Sequence, residues 1–311
     1  MKPAGPEKRF RGRVLSRSRR PSTDKRVLGV LFISLSALFF TLSTVFAKYV
    51  NLASDLSPAV ITLFRFMVGT VVIGAYVCIK RADIRPVRLD LIVWRAVLNS
   101  ISLILFYFGV QLSTVSKANL LNMTFPVFVF LFSPFINRDR PTAVQCLFLG
   151  LTLFGMYLVI LPDFSQVNAG DLLALLSAVS GGAAVGVLKE SRKADEPAAI
   201  LFYLMVVGLA VNLPFALPAL RLPPAALWKD LLLSGLCGML GQVFTTIGAV
   251  YFSASTASLI ASTRIIFAVG IGVWLFLDPL PLRVLLGAGL IALSLAGVSG
   301  ILPWRKPRAG K

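Results

Sequence analysis

Ten apolar runs of about 20 residues each dominate this sequence and restrict its fold more than any other feature. A helix needs roughly 20 apolar residues to cross the hydrocarbon core of a bilayer. The chain of 311 residues is 57% hydrophobic and only 14% charged, whereas a soluble domain carries about a quarter charged residues. The sequence therefore predicts an all-α integral membrane protein with ten transmembrane helices. The predicted spans, numbered 1 to 10, cover residues 27–48, 58–79, 91–111, 116–136, 142–161, 171–188, 197–217, 230–250, 255–277 and 282–302.

An internal repeat divides the ten spans into two sets of five. Segment 116–121 aligns with segment 255–260, and the same offset of 139 residues places Asp139 on Asp278. Because each half holds an odd number of spans, the second half should enter the bilayer from the opposite side. Inverted repeats of this kind are characteristic of secondary transporters, whose substrate site lies between the repeats near the bilayer midplane.

The distribution of lysine and arginine predicts the orientation of the chain. Ten spans put both termini on one side, and that side carries 24 of the 31 basic residues, including Arg95 at the start of span 3. The opposite side carries five, and Arg65 and Arg264 lie inside spans. Basic residues concentrate on the cytoplasmic side of membrane proteins. We therefore expect both termini to be cytoplasmic and the protein to lie in the cytoplasmic (inner) membrane of a bacterium.

Two basic tails flank the predicted membrane body, at residues 1–26 and 304–311. The first tail is rich in arginine and serine, and we interpret it as a disordered cytoplasmic segment that contacts anionic lipid. A transit peptide has a similar composition and is the alternative. The net charge of +18 lies mostly in short segments between apolar runs. This pattern predicts a lipid bilayer as partner and no nucleic acid. The other expected partner is a small-molecule substrate, and we expect a monomer or homodimer.

The residue types that carry most enzyme and metal chemistry are scarce or misplaced here. The chain has no histidine, and its three cysteines lie far apart in apolar runs without metal-type spacing. The 13 acidic residues all lie in predicted tails, loops or span ends. We therefore expect no metal, no cofactor and no catalytic residue, and no proton relay of carboxylates at the midplane. The cysteines are predicted to be reduced and buried.

Two arginines inside spans are the charged candidates for a site. Arg264 lies about ten residues into span 9, close to the midplane, and Arg65 lies about eight residues into span 2. Ionisable groups inside a membrane are costly and often serve a function. Arg264 could meet an anionic group of a substrate, or it could tie neighbouring helices through their carbonyls. For Arg65, which could also snorkel toward the interface, we favour a structural role.

Uncharged polar residues concentrate in spans 3, 4, 8 and 9 and predict a water-filled central cavity. Each could instead act only in hydrogen bonds between helices. Pro126 follows Asn122 by four residues, so it frees a backbone carbonyl within span 4. Together with Arg264, the predicted substrate-binding residues are Asn99, Tyr107, Asn119, Asn122, Gln242, Thr246, Ser258 and Ser262. The predicted structural or gating residues are Arg65, Pro126, Asp139 and Asp278.

Several segments resemble the EamA-type modules of the drug/metabolite transporter superfamily. They are Ala118-Asn119-Leu120-Leu121, Phe125-Pro126-Val127-Phe128, Gly150-Leu151, Leu63-Phe64-Arg65-Phe66 and the segment from Gly170 onward. The resemblance covers roughly residues 27–302. It implies two inverted five-helix repeats around a central cavity lined by spans 1–4 and 6–9, with spans 5 and 10 at the periphery. The implied units are residues 1–26 (basic tail), 27–164 (first repeat), 165–303 (second repeat) and 304–311 (basic tail).

The chain departs from this resemblance at three positions. Asp139 and Asp278 stand where the family usually has glutamate, and Ile265 stands where a proline is expected in span 9. The acidic groups keep their charge but are shorter. The two halves therefore differ from each other at the expected site.

These observations predict a secondary transporter that moves a small organic metabolite by alternating access. Our preferred substrates are amino acids or related carboxylate-bearing compounds, exported from the cytoplasm. The alternative is an importer or exchanger of another metabolite or cofactor, such as a nucleotide-like or phosphorylated compound. An integral-membrane transferase is a remote alternative, because no nucleophile, base or metal set is evident. A channel would repeat a ring of pore-lining residues, and none is visible.

Overall fold

The computed structural model describes residues 23–113, 115–161, 167–277 and 279–299, and these residues form helices joined by short loops. Tail 304–311, all but the end of tail 1–26, and Asp278 lie outside the described residues. The α-helices are α1 (Thr23–Ala53), α2 (Pro58–Lys80), α3 (Leu89–Leu112), α4 (Val115–Met123), α5 (Phe125–Ile136), α6 (Ala143–Ile160), α7 (Ala169–Ser191), α8 (Pro197–Ala216), α9 (Trp228–Gly248), α10 (Ala254–Ala261), α11 (Arg264–Phe276) and α12 (Leu282–Ser299).

Within the described residues, the helices form ten spans that are long and apolar enough to cross a membrane, which confirms the predicted number. Span 4 consists of α4 and α5, span 9 consists of α10 and α11, and every other span is one helix. Large apolar side chains cover the outer surface, and Phe135 and Trp274 are 80% and 78% exposed. Such a surface is stable when lipid covers it. The prediction of buried cysteines is wrong for Cys78 and Cys146, which lie on this exposed surface.

Both ends of the described chain lie at one face of the bundle. Ile33, near the start of α1, packs in one cluster with Leu295 and Val298 at the end of α12. We call this face the terminal face and the opposite face the far face. An even number of spans requires this arrangement.

Equivalent helices of the two halves pack against each other in opposite directions. In the contact of α2 with α8, Phe66 lies against Gly208, and Met205 lies against Gly69. Residue numbers rise along one helix as they fall along the other, so the two helices are antiparallel. Helices α6 and α12 are antiparallel in the same way. Because α2 corresponds to α8 and α6 to α12 in the repeat, we infer that the halves are inverted relative to each other.

Hydrogen bonds from serines connect the halves at two further antiparallel contacts. Ser36 Oγ donates to the Gly241 carbonyl over 2.9 Å, and Ser43 Oγ donates to the Ser234 carbonyl over 2.8 Å, so α1 packs on α9. The corresponding contact joins α3 to α7, where Ser180 Oγ donates to the Leu98 carbonyl. Serine hydroxyls at helix contacts satisfy their own polarity and allow close packing in lipid.

Spans 4 and 9 are interrupted at corresponding positions. Thr124 separates α4 from α5, and its Oγ1 donates to the Leu121 carbonyl over 2.6 Å. Thr263, which is 139 residues later, precedes α11, and its Oγ1 donates to the Ile260 carbonyl over 2.8 Å. A threonine with the same local hydrogen bond therefore lies at each of the two breaks. Helix breaks inside a membrane are tolerated where other groups satisfy the backbone.

Candidate substrate site

A cavity of about 480 Å³ occupies the half of the bundle nearest the far face. It extends from Arg264, at the start of α11 near mid-depth, to Pro279 and Pro281 beside the far ends of α11 and α12. Its wall includes residues of spans 1, 4, 5, 9 and 10. Three of its described lining residues are cations, namely Arg264, Lys48 and Arg283, and none is acidic. The cavity therefore has a positive electrostatic character.

The break in span 9 places Arg264 at the cavity. Arg264 is the first residue of α11, directly after Thr263. Its Nη2 donates to Thr44 Oγ1 over 2.7 Å, and Thr41 Oγ1 donates to its carbonyl over 3.3 Å. The side chain is half-buried, and both threonines also line the cavity. A guanidinium can donate five hydrogen bonds, so one threonine leaves it able to bind an anion.

Phe40 lies between Arg264 and Arg65. The guanidinium carbon of Arg65 is 5.3 Å from the centre of the Phe40 ring, and that of Arg264 is 5.8 Å from it. A cation over an aromatic ring is stabilised by the negative face of the ring. The two arginines repel each other, and both interact electrostatically with Tyr107. Two of the predicted residues, Arg65 and Arg264, thus lie around one ring of span 1.

Arg65 also packs tightly on span 8. A Cβ atom at Gly238 would overlap with the Arg65 side chain, so the glycine makes room for it. Arg65 is not among the residues that line the cavity. These contacts fit the structural role that we favoured for it, and that role stays a prediction.

Asn119 lines the cavity, and Asn122 lies one turn further along α4 in a contact with span 6. Asn122 Nδ2 donates to Ser177 Oγ over 2.8 Å. In a regular helix the N–H of residue 126 would donate to the Asn122 carbonyl, but Pro126 has no N–H. Pro126 itself is buried in the first turn of α5, beyond the break. Asn122 therefore has the interhelical partner that the structural alternative requires.

Three predicted hydroxyl groups donate to carbonyls of their own helix or helix break. Thr246 Oγ1 donates to the Gln242 carbonyl, Ser258 Oγ to the Ser255 carbonyl, and Ser262 Oγ to the Ser258 carbonyl. All three side chains are buried and lie away from the cavity wall. Their hydroxyl protons are already used in this conformation. Binding of substrate by these groups stays a prediction.

Gln242 of span 8 is hydrogen-bonded to Arg95 of span 3, and Asn99 follows Arg95 by four residues on the same helix. Arg95 was counted as a cation at the terminal end of span 3, but it lies inside α3 and is 3% exposed. Its Nη2 donates to Gln242 Oε1 over 3.3 Å. Its distance from the start of α3 is six residues, or roughly 9 Å of helix. Position alone could not tell that Arg95 points inward, because its partner is distant in the sequence.

A buried ion pair joins spans 4 and 6 near the far face, and sequence reasoning did not predict it. Lys117 Nζ lies 3.3 Å from Asp171 Oδ2, and both side chains are more than 90% buried. Ser113 Oγ also donates to Asp171, and Asp171 forms a capping box with Asn168 at the start of α7. The box motif was readable in the sequence as Asn168 followed three residues later by an acid. The ion partner was not, because it lies 54 residues away.

Basic residues at the end of span 6 contact the end of span 8 at the terminal face. Lys189 Nζ donates to the Ala249 carbonyl over 2.9 Å, and Arg192 Nε donates to the Thr246 carbonyl over 3.1 Å. Asp139, a predicted gating residue, interacts electrostatically with Lys189. These bonds join the two helices where a path from the terminal face would have to open. The gating role of Asp139 stays a prediction.

The cavity wall differs from the wall that the resemblance implied. Spans 5 and 10 were expected at the periphery, but Val159, Ile160 and Val284 from these spans line the cavity. Both helices share one apolar cluster with spans 4 and 9, which contains Met123, Met156, Ile265 and Ile291. Spans 2, 3, 6, 7 and 8 contribute no described residue to this cavity.

Comparison with known proteins agrees with this architecture. The chain is 28% identical over 270 residues to the pseudopaline exporter CntI of Pseudomonas aeruginosa. This match covers 85% of this chain and 92% of the relative. It is 26% identical to solute carrier family 35 member G1 of Homo sapiens, with coverage of 78% and 70%. It is 24% identical to a riboflavin transporter of Rhizobium johnstonii, with coverage of 86% and 89%.

A solved structure shares the fold. It is titled "Crystal structure of protein" and matches with a TM-score of 0.72 at 14% identity, over 86% of this chain and 95% of the other. The model of the EamA-like transporter family matches twice, at residues 27–161 and 168–300, so that each match covers five spans. The family and the named relatives are transporters and not enzymes. The protein is a multi-pass membrane protein and belongs to the EamA-like transporter family.

Proposed function

We propose that the protein is a secondary transporter that moves a small carboxylate-bearing metabolite through the far-face cavity by alternating access. The observation that carries this proposal is the half-buried Arg264 guanidinium in a cavity of about 480 Å³ whose described lining has no acidic residue. Arginine binds a carboxylate through two parallel hydrogen bonds. The cavity volume falls in the range typical of sites for small organic ligands.

The direction and membrane orientation of the proposed transport rest on charge and on one relative. The excess of basic residues on the side of the termini supports a cytoplasmic terminal face. With that orientation, the cavity faces the outside of the cell. A relative named as an exporter supports export from the cytoplasm. Amino acids and related compounds are the substrates that we propose first.

Alternating access requires that the second face open when the first closes. The hydrogen bonds from Lys189 and Arg192 to span 8 carbonyls hold the terminal face together while the cavity reaches the far face. Inversion of the two halves would let the same packing rearrangement open either face. We propose that breaking these bonds accompanies opening toward the cytoplasm.

A second candidate substrate class is favoured by the additional cations of the cavity. Lys48 Nζ lies 3.8 Å from the centre of the Phe276 ring, and Arg283 Nη1 donates to the Leu158 carbonyl over 3.4 Å. Both side chains are exposed to the cavity mouth. An anion with more than one negative group, such as a phosphorylated or nucleotide-like compound, would contact them as well as Arg264.

The first prediction tests the role of Arg264. Purified protein is screened by thermal shift against carboxylate metabolites, their neutral amide analogues and phosphorylated compounds, since a bound ligand raises apparent stability. Hits are then tested for saturable uptake in proteoliposomes. We expect Arg264→Gln to lower transport at least about tenfold, because it removes a charge-assisted bond. Lys229→Gln, which removes an exposed cation outside the cavity, should transport normally. Normal transport by Arg264→Gln would contradict the site, and stabilisation by the amides as well as the acids would contradict the substrate class.

A further inference from the structure

Arg95 is a buried cation whose hydrogen-bonding capacity is largely unused. It is 3% exposed, and its Nε has no hydrogen-bond partner among the described residues. No salt bridge joins it to an acidic residue in the described part of the chain. An ionised group in a low-dielectric interior is costly unless it is paired. The Gln242 oxygen is a neutral partner and supplies one acceptor only.

A second unused donor lies beside it. Asn99 follows Arg95 by four residues in α3, so the two side chains share one face of the helix. The Nδ2 atom of Asn99 is buried and has no partner within the described residues. Buried donors need acceptors, and an anion is an acceptor that a guanidinium and an amide N–H can bind together. The group of Arg95, Asn99 and Gln242 lies in the half of the bundle nearest the terminal face.

The group also lies one residue along α9 from a contact with Phe40, whose ring is close to Arg264 and Arg65. Gly241 directly precedes Gln242 in α9, and a Cβ atom at Gly241 would lie 2.7 Å from Cδ1 of Phe40. Gln242 is rotated by about 100° around α9 from Gly241, so it meets Arg95 on a different face of the helix from the one that meets Phe40. The long side chain of Arg95 spans the distance from α3 to Gln242 of α9.

We propose that Arg95, Asn99 and Gln242 form a second anion-binding site, toward the terminal face, that receives a carboxylate of the transported metabolite. The identity of the anion rests on the proposed function, but the existence of the site does not. In this conformation the site is closed, and it opens when the terminal face opens. Arg264 and Arg95 then bind the same negative group at successive stages of transport.

The test measures the charge preference of a thiol placed inside the site. In a chain whose Cys78, Cys146 and Cys237 are replaced by serine, Asn99→Cys is exposed to anionic and cationic methanethiosulfonates from the terminal face. Rates are normalised to those of a free thiol in solution. We expect the anionic reagent to be favoured about tenfold or more, because Arg95 attracts it at short range. The preference should disappear in Asn99→Cys with Arg95→Gln.

Two further variants keep the outcome decisive. Gln242→Glu leaves Arg95 in place but places a carboxylate beside it. This variant should abolish the preference for the anionic reagent and raise thermal stability. It therefore tests the site even if Arg95→Gln does not fold. Arg88→Gln removes an exposed arginine outside α3 and should leave the preference unchanged. Equal normalised rates with Arg95 present, or no reaction from the terminal face, would overturn the proposal.

The result is separable from that of the transport experiment. Charge-selective labelling in a protein that transports no carboxylate would overturn the proposed substrate and keep the site. Carboxylate transport with no charge selectivity at Asn99→Cys would keep the transporter and overturn the site.

Discussion

Lys117 and Asp171 show how strongly single buried charges depend on one another in this protein. Their ion pair is 3.3 Å long and more than 90% buried, and it joins α4 to α7. Asp171 accepts from Ser113 and from the Asn168 backbone as well, so its carboxylate is well satisfied. Lys117 supplies the balancing positive charge. Removing one partner should therefore destabilise the protein strongly, because the other charge would stay buried without a counter-charge.

We expect Lys117→Met to lower the free energy of unfolding by about 3 kcal/mol, because it leaves a buried carboxylate without its cation. Adding Asp171→Asn should recover most of the loss, since asparagine keeps an oxygen for the helix cap without the charge. Thermal unfolding of the four proteins of this double-mutant cycle in detergent measures the coupling. Additive effects of the two single substitutions would show that the pair carries no specific interaction.

At the same scale, the sequence predicted which residues are unusual better than it predicted their partners. Arg264 stood out because no other cation lies so deep in a predicted span, and it does line a cavity. Arg95 did not stand out, because a cation near a span end ordinarily reaches the interface. Whether it snorkels or turns inward depends on Gln242, which is 147 residues away. Hydroxyl groups such as Thr246 Oγ1 were predicted to face a cavity, and their bonds within the helix could not be read from spacing.

Among the elements, the contact of α6 with α12 rests on two glycines at which the backbones meet. A Cβ atom at Gly155 would lie 2.7 Å from the Gly287 carbonyl oxygen, and one at Gly287 would lie 2.5 Å from the Gly155 carbonyl oxygen. Neither backbone can rotate away as a side chain could. Small residues permit this close approach of helices in lipid.

We expect Gly155→Ala and Gly287→Ala each to lower the free energy of unfolding by about 1–3 kcal/mol, the usual cost of overpacking. The same helices provide matched controls, because a Cβ atom at Gly150 or Gly289 meets nothing within 4 Å. Gly150→Ala and Gly289→Ala should leave stability unchanged or raise it slightly. Equal thermal shifts for the buried and the control positions would show that the glycine contact does not form.

The number of elements could be predicted, but the subdivision of two of them only partly. Apolar length alone was sufficient for ten spans, because the bilayer fixes the length that a helix must have. Pro126 indicated a disturbance in span 4, and the break occurs two residues earlier, at Thr124. In span 9 the corresponding residue is Ile265, so nothing in backbone chemistry announced a break. Thr263, the counterpart of Thr124, lies at this break and forms the same bond to the carbonyl three residues earlier.

For the whole molecule, the inferred inversion of the halves predicts a specific topology. The loop between spans 2 and 3 and the loop between spans 7 and 8 correspond to each other in the repeat, yet they should lie on opposite sides of the membrane. In a chain with its native cysteines replaced, Asp83→Cys should react with an impermeant thiol reagent from the cytoplasmic side, and Arg221→Cys from the outside. Intact and inside-out vesicles measure this. Reaction of both positions from the same side would exclude an inverted repeat.

The overall plan was the part most accessible to sequence reasoning, because charge bias and internal similarity act over the whole chain. The repeat predicted which helices correspond, and the antiparallel contacts of α2 with α8 and α6 with α12 agree with it. The position of the cavity was less accessible. The cavity position depends on how α6 and α12 pack against spans 4 and 9. Side-chain volumes determine that packing, and the order of the spans does not.

Two guanidinium groups lie near the ring of Phe40, that of Arg65 at 5.3 Å and that of Arg264 at 5.8 Å from the ring centre. This arrangement has a kinetic consequence. Without a bound anion, the two like charges repel each other and oppose the closer packing of the helices that closing the site requires. The carrier should therefore switch between its two open states faster when substrate is bound than when it is empty. Such a carrier works by exchange. We expect unlabelled substrate on the opposite side of a proteoliposome to accelerate efflux of labelled substrate several-fold, and Arg65→Gln to weaken that trans-stimulation. An efflux rate independent of the opposite compartment would show that repulsion between these arginines does not limit the return step.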